Sequence, residues 1–375
     1  MTHQVKMMPL KSLFFSKPVF LEDILGRGKN SFELIRLVAS LSVVFGHAFA
    51  LHPSNGHAEP IGKLIQFDYI GTVAVFMFLF VSGIFVTASY DRSRSLLRFA
   101  ILRIGRIWPA LIVCILITVF IVGPLVTSLT ISEYFSSHET WNYLLTNIKL
   151  MEVRYNLPGV FDYNWYNDSV NGSLWILPVL VRCYALVAVL GLIGCLRHWK
   201  WVTLAVLGII SVYFFSQLYF AGQITYYIFQ SYLMGGLTPL GVRCYAFFLA
   251  GMLAYSYRKV IILDARLSVF FFALWLSGMN TGFSSTLFYL FLAYSVLVLA
   301  SSKISKRVVL PGDYSYGIYI YGFLIQQLLA FKLPLMTAYE SLALSLPLSC
   351  SAGFVSWHAI EKPVLISAKK LREKK

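Results

Sequence analysis

The sequence predicts an all-α membrane protein, a bundle of about ten transmembrane helices with both termini in the cytoplasm. The first observation is composition, because 58% of the 375 residues are hydrophobic and only 13% are charged. Soluble domains are about half apolar and about a quarter charged. The second observation is that apolar runs of about 20 residues, long enough to cross a bilayer, recur along the chain. The third is the distribution of basic residues between these runs.

The apolar runs divide the chain into three parts. Residues 1–30 mix basic and scattered apolar residues, and they lack the apolar core of a cleavable signal peptide. They predict a cytoplasmic or interfacial leader, followed by one transmembrane domain over 31–366 and a basic cytoplasmic tail over 367–375. The predicted spans are 31–52, 68–90, 107–129, 173–195, 200–220, 239–257, 262–280, 283–302, 313–332 and 338–360.

Lysine and arginine are unevenly distributed between the predicted spans. Alternate segments, starting with the N-terminus, hold 24 of them, and the intervening segments hold 4. The positive-inside rule therefore places both termini in the cytoplasm. The net charge of +15 is explained by this topology and by contact with anionic membrane lipid, so nucleic acid is not a predicted partner.

The first span carries an arginine and a histidine, Arg36 and His47. On a helix they differ by roughly 20° in direction and lie about 16 Å apart along the axis. A buried arginine is costly unless it meets a partner or a cavity, so this face is predicted to line a polar cavity. Two alternatives stay open. Glu33 is placed to form a local ion pair with Arg36, and His47 is an interfacial histidine like His52 and His57 nearby.

The third span begins with "RFAILRIGRIWPAL" (98–111), which contains Arg98, Arg103 and Arg106. Helical spacing spreads these three residues over a broad basic face. One interpretation is anchoring of the helix at the cytoplasmic surface. The other is an anion site, because guanidinium groups bind phosphates through paired hydrogen bonds.

The long segment at about 130–172 is predicted to face outward. It contains Trp141, Trp165 and Tyr166, together with Asp162 and Asp168. Aromatic residues there suit either sugar rings or anchoring at the membrane interface. Asp313 and the tyrosines that follow it are predicted to start and pack the ninth span, and Glu361 to end the last one.

Several sequence motifs together resemble the membrane-bound acyltransferase-3 family of bacterial sugar and polysaccharide acyltransferases. Their order along the chain is that of the family, and they cover nearly its whole length. No metal, nucleotide or serine-hydrolase motif is present, and no metal site is predicted. The motifs are "FELIRLVASLSVVFGHA" (32–48), "VFMFLFVSGIFV" (75–86), "RFAILRIGRIWPAL", "NGSLWILPVLVRCY" (171–184), "DYSYGIYIYGFLIQQ" (313–327) and "SWHAIEKP" (356–363).

The resemblance implies transfer of an acyl group, usually acetyl, from cytoplasmic acyl-CoA to a hydroxyl of a surface glycan or its lipid-linked precursor. Acetyl-CoA is then a co-substrate, and the bacterial inner membrane is the expected location. By the matching positions, His47 is the catalytic histidine and Arg36 its first-helix partner. Arg103 and Arg106 are the pair associated with the acyl donor, and Arg98 extends that basic face.

The start of the fourth span is predicted to contact the acceptor through Asn171, Ser173 and Trp175. Here the chain departs from the family pattern, because Leu180 stands where an acidic residue is expected. Three explanations remain: another acid such as Glu152, Asp162 or Asp168 replaces it, the chain binds its ligands without catalysis, or the sequence carries an inactivating substitution. A membrane transporter is a further alternative, although the chain lacks visible inverted repeats.

Overall fold

The computed structural model describes residues 18–26, 31–53, 59–220, 239–302 and 305–373. Over these residues the chain is almost entirely helical, in agreement with the predicted all-α class. The extended contacts in this part of the chain are isolated bridges, Phe20 with Ile262 and Thr127 with Val160.

Ten long helices occur among the described residues, one at each predicted span. A π-helical turn interrupts α3 at Thr118–Val122, and another, at Trp357–Glu361, joins α10 to a last helix, Lys362–Glu373. The ten are α1 Phe32–Leu51, α2 Ile70–Ser93, α3 Leu96–Val126, α4 Ile176–Leu192, α5 Trp199–Phe220, α6 Pro239–Ser256, α7 Ala265–Gly278, α8 Ser284–Ser301, α9 Ser315–Lys332 and α10 Ala338–Ser356.

Within the described residues, five helical segments are long and apolar enough to cross a membrane: α1, α2, α3, α8, and α4 together with the 3-10 turn before it, Gly172–Trp175. Shorter apolar helical segments lie in α5, α6 and α7, at Trp199–Ser211, Leu240–Ser256 and Ala265–Gly278. These helices indicate a multi-pass membrane protein. The number of spans and the side on which the termini lie stay predictions.

The chain forms two compact units. The smaller unit joins residues 1–31, as far as they are described, to 257–307. In it α7 packs against α8, and Trp275 lies 5.1 Å from Phe288 between ring centroids. The backbone N–H of Leu263 donates to the carbonyl of Val19 at 2.8 Å. The described part of the predicted leader is thus bound to this unit.

The larger unit, 32–256 and 308–375, is organised around α1, which packs against α2, α9 and α10. Arg36 contacts Asp313, and the carbonyl of Val44 accepts a hydrogen bond from Gln326. Helices α1 and α9 therefore run in the same direction, as two odd-numbered passes of an alternating bundle would.

Helices α2 and α6 approach each other closely at two glycines, Gly83 and Gly251. A methyl group on Gly83 would collide with the carbonyl oxygen of Phe248, and one on Gly251 with that of Phe80. Small residues allow such backbone contact between membrane helices. This explains the glycine of the predicted second-helix motif by packing.

Candidate active site

A cluster of four charged side chains lies at one end of α1, which we call the arginine end. Arg36 and Arg106 both contact Asp313, at 2.8 and 2.6 Å, and Arg106 also contacts Glu361 at 3.2 Å. The cluster joins α1, α3, the residue two positions before α9 and the π-helical turn after α10. Three of these side chains are partly buried and Glu361 is 1% exposed, and charges so shielded from water are costly unless they are paired in this way.

Hydroxyl groups hold the two carboxylates in place. Ser315 Oγ donates to Asp313 at 2.6 Å, and Ser356 Oγ donates to Glu361 at 3.0 Å. Neither acid is among the residues that the sequence predicts for the site. The ion pair that the structure shows for Arg36 runs to Asp313, whereas the sequence offered Glu33 as a local partner.

Arg103 lies beside this cluster without an ion pair among the residues that the structure describes. Its guanidinium carbon lies 5.6 Å from the centroid of the Tyr184 ring and 5.9 Å from that of Phe99. One terminal nitrogen donates to Ser89 Oγ at 3.4 Å, whereas its Nε is buried without a hydrogen-bond partner. Arg103 is thus a partly buried cation with capacity for an anion.

The structure brings Arg36, Arg103 and Arg106 close enough to interact electrostatically. Arg98 lies in the first turn of α3, half-buried and outside the described ion pairs. These four arginines, one predicted as the partner of His47 and three predicted to bind the donor, therefore divide into two kinds. Arg36 and Arg106 are neutralised by carboxylates, whereas Arg103 and Arg98 carry unneutralised charge.

The face of α1 between Arg36 and His47 is packed. Ser40 is fully buried and Val43 is 2% exposed, which leaves no water-sized space against either side chain. The hydroxyl of Ser40 donates to the carbonyl of Leu37 in its own helix, at 2.8 Å. The expected polar cavity along this face is therefore absent at these two residues.

His47 marks the other end of α1, which we call the histidine end. The imidazole is 9% exposed, and its Nδ1 is buried without a hydrogen-bond partner in the described part of the chain. Phe323 of α9 packs edge-to-face against it, with ring centroids 5.1 Å apart. His52 is also buried nearby along the chain, and His57 lies outside the described residues.

The start of the fourth helix reaches the histidine end through α9. The side-chain amide of Asn171 donates to the carbonyl of Ile320 at 2.8 Å, and its oxygen accepts from the N–H of Ser173 at 3.2 Å. The Tyr319 hydroxyl donates to the carbonyl of Ser173 at 2.7 Å. Both polar atoms of the Asn171 side chain are therefore used in hydrogen bonds to the backbone that hold this turn in place.

The other two predicted acceptor-binding side chains, unlike Asn171, make no described hydrogen bond. The hydroxyl of Ser173 is fully buried and lacks a hydrogen-bond partner in the structure as described. Trp175 is half-buried. Phe323, whose ring contacts His47, also lies against the start of this turn at Gly172. Its ring leaves no room for a side chain at Gly172, because a methyl carbon there would lie 2.7 Å from a ring carbon.

None of the three acids suggested by the departure at Leu180 is hydrogen-bonded to His47. Asp162 accepts from Ser128 Oγ at 3.4 Å, and Glu152 lies 3.7 Å from an exposed Arg154. Asp168 is exposed. Arg182, which had no evident partner in the sequence, donates to the carbonyl of Met151 at 2.7 Å.

This arrangement defines a class of protein, a helical membrane protein with a buried histidine at one end of a helix and clustered arginines at the other. Residues 29–357 match the family described as an acyltransferase domain. The chain therefore belongs to the acyltransferase-3 family, as its motifs predicted.

Two named proteins are similar to this chain. An O-acetyl transferase of Shigella phage Sf6 is 28% identical over 340 residues, which are 90% of this chain and 96% of that protein. Nodulation protein 10 of Rhizobium leguminosarum bv. viciae is 32% identical over 180 residues, 46% of each chain. No solved structure matches this chain. The family and the first relative support an O-acyltransferase.

Proposed function

We propose that this chain transfers an acyl group, in the simplest case acetyl, from acyl-CoA to a sugar hydroxyl of a surface glycan or its lipid-linked precursor. The supporting observation is the buried, unpartnered Nδ1 of His47 at the opposite end of α1 from the arginine cluster. A buried polar atom without a partner is costly, and a catalytic role is one explanation for such an atom. His52 also has a buried ring nitrogen without a described partner, its Nε2, so a comparison of the two histidines tests whether this feature alone marks the catalytic one. The proposal includes the bacterial inner membrane, with the arginine end toward the cytoplasm.

His47 acts on the acceptor hydroxyl in this proposal. A neutral imidazole removes the hydroxyl proton while the hydroxyl oxygen attacks the carbonyl carbon of the thioester. The carbon–sulfur bond breaks, the acyl group stays on the sugar oxygen, and the imidazolium returns the proton to the leaving thiolate. In a second route the imidazole itself carries the acyl group before the hydroxyl displaces it.

The arginine end binds the donor. Coenzyme A presents phosphate groups, and Arg103 has hydrogen-bonding capacity that no described carboxylate uses. Arg98 adds positive charge to the same helix. Arg36 and Arg106 hold the surrounding helices together through Asp313, and their two charges are matched by Asp313 and Glu361.

The test measures acyl esters on the surface glycan of bacterial cells with and without the protein. We expect ester groups with the natural sequence and a fall of about 100-fold or more with His47→Ala, the effect of losing a general base. His52→Ala is the matched control, and it should retain acylation. Unchanged acylation by His47→Ala would remove the histidine from the mechanism.

A catalytically silent relative is the second candidate, and the observation that favours it is the missing acid at Leu180 together with the unpartnered Nδ1 of His47. Such a protein would bind acetyl-CoA without forming esters. Folded protein that binds radiolabelled acetyl-CoA but yields neither glycan ester nor hydrolysed thioester would support this candidate over an enzyme.

A further inference from the structure

Trp141 and Tyr166, both between α3 and α4, belong to two different groups of packed aromatic rings. Trp141 belongs to the first, because its ring lies 6.1 Å from Phe120 of α3 and 6.4 Å from Phe135. Its indole N–H donates to the carbonyl of Phe135 at 2.8 Å. This group packs beside the end of α3, as an anchor at a membrane interface does.

The second group leads to the candidate catalytic histidine. The ring of Tyr166 lies 6.0 Å from Phe323 in an edge-to-face arrangement, and Phe323 lies 5.1 Å from His47. Phe323 is 5% exposed, whereas Tyr166 is 37% exposed. Tyr166 is therefore the accessible member of a row of three rings that ends at the imidazole.

Hydrogen bonds to α9 hold the backbone around Tyr166. The side-chain amide of Gln327 donates to the carbonyls of Tyr166 and Ser169, at 2.7 and 2.6 Å. Asn164 donates to the Gln327 side-chain oxygen at 2.7 Å. Gln327 is fully buried and Asn164 is 8% exposed, so these bonds are shielded from water. A ring on a backbone held in this way needs little ordering when it binds a ligand.

A second tyrosine lies near Tyr166. The carbonyl of Tyr155 accepts from the N–H of Val170 at 2.8 Å, which fixes its backbone close to the start of the fourth helix. Burial raises the pKa of the Tyr155 hydroxyl, and Tyr166 nearby contributes in the same direction. Tyr155 is also partly exposed. Tyr155 is thus a second partly exposed tyrosine in the segment that carries Tyr166.

We propose that Tyr166 is the platform on which a pyranose ring of the acceptor stacks. In this position a hydroxyl group of the sugar is directed toward His47. This inference rests on the proposed function. The flat face of a tyrosine offers apolar area to the C–H face of a sugar, and its hydroxyl offers a hydrogen bond to the sugar rim. Binding sites commonly combine apolar rings with few polar groups in this manner. Trp141 is exposed to a similar degree, 41%, but its N–H already donates to the carbonyl of Phe135. The hydroxyl of Tyr166, by contrast, has no hydrogen bond within the described part of the chain, so it is available to a sugar hydroxyl.

The experiment uses the full-length protein in detergent, with acetyl-CoA as donor and a panel of methyl glycosides of hexoses and 6-deoxyhexoses as acceptors. Tyr166→Ala should raise the KM for the acceptor about tenfold while kcat changes little, the expected cost of a lost aromatic contact. Tyr166→Phe, which keeps the ring, should stay within about threefold of the natural sequence. Tyr163→Ala is the matched control, because Tyr163 is 89% exposed in the same segment.

The outcomes separate this inference from the proposed function. If the natural sequence acylates a glycoside and His47→Ala does not, the proposed function stands. An acceptor KM for Tyr166→Ala equal to that of Tyr163→Ala then overturns the platform alone. If Tyr166→Ala lowers both kcat and thermal stability, and Tyr166→Phe does not restore them, Tyr166 has a structural role and the platform is overturned. If the natural sequence acylates the surface glycan of cells but no glycoside of the panel, the platform fails and the proposed function stands. If it acylates neither, both proposals fail.

Discussion

The two ends of α1 differ in whether their polar groups have partners. At the arginine end, Arg36 and Arg106 are matched by Asp313 and Glu361, and hydroxyl groups complete the network. At the histidine end, His47 has a buried ring nitrogen without a described partner. Paired charges fix the relative positions of helices, whereas an unpaired imidazole keeps its capacity for proton transfer. We infer that the first arrangement serves structure and the second serves chemistry.

A packed stretch separates these two ends. Ser40 and Val43 fill the face of α1 between them, so a thioester arm cannot follow this face in the described conformation. Under the proposed function, the helices packed on α1 therefore separate locally, or the arm passes beside another helix. Donor phosphates and the reacting hydroxyl would in either case be bound by different sets of residues.

The largest predicted effect comes from Asp313→Asn, at the arginine end. This change leaves Arg36 and Arg106 with one carboxylate between them, and removing one partner from a buried pair costs about 3–5 kcal/mol. Glu361→Gln should cost less, because Glu361 contacts only Arg106 of the two arginines. Thermal unfolding of the purified protein in detergent measures both losses.

A double substitution sharpens this prediction. Arg36→Gln combined with Asp313→Asn leaves one arginine of the ion-pair network, Arg106, facing one carboxylate, Glu361. Part of the stability lost in Asp313→Asn should therefore return. A double variant less stable than Asp313→Asn alone would show that charge balance does not explain the network.

The next largest effect is predicted for Arg103, which we propose binds a phosphate group of the acyl donor. Arg103→Ala should raise the KM for acetyl-CoA about ten- to a hundredfold, the expected cost of charge-assisted hydrogen bonds to phosphate. Its stability should change less than that of Arg106→Ala, because Arg106 contacts two carboxylates and Arg103 contacts none that is described. The reverse order of the two stability losses would contradict this division of roles.

The sequence predicts local features of this molecule well. A helix is found at each of the apolar runs, because hydrophobic length and periodicity are local properties. The shared face of Arg36 and His47 follows from helix geometry alone. The broad basic face of α3 is likewise local. It places Arg103 and Arg106 on one broad face, but it does not distinguish the paired arginine from the unpaired one.

The sequence does not reveal ion-pair partners that lie far apart along the chain. Asp313 and Glu361 are 207 and 255 positions from Arg106, and no periodicity links them to it. The available signal was an acid bordering an apolar span in a chain that also buries arginines. Asn171 shows the opposite difficulty. Its residue type suits a sugar, yet its side-chain amide donates to the backbone of α9.

The smallest predicted effect is that of Leu180→Glu, which restores the acid expected by the family pattern. Leu180 is half-buried on α4, whereas the ring of His47 packs against Phe323 of α9. The described hydrogen bonds include none from α4 to this imidazole. If the natural sequence is already an active enzyme, the kcat for ester formation should change by less than about threefold, well under 1 kcal/mol in barrier height. Leu180→Gln controls for the polar side chain without its charge. A tenfold or greater gain with Glu but not Gln would instead identify the missing carboxylate as the cause of an impaired histidine end.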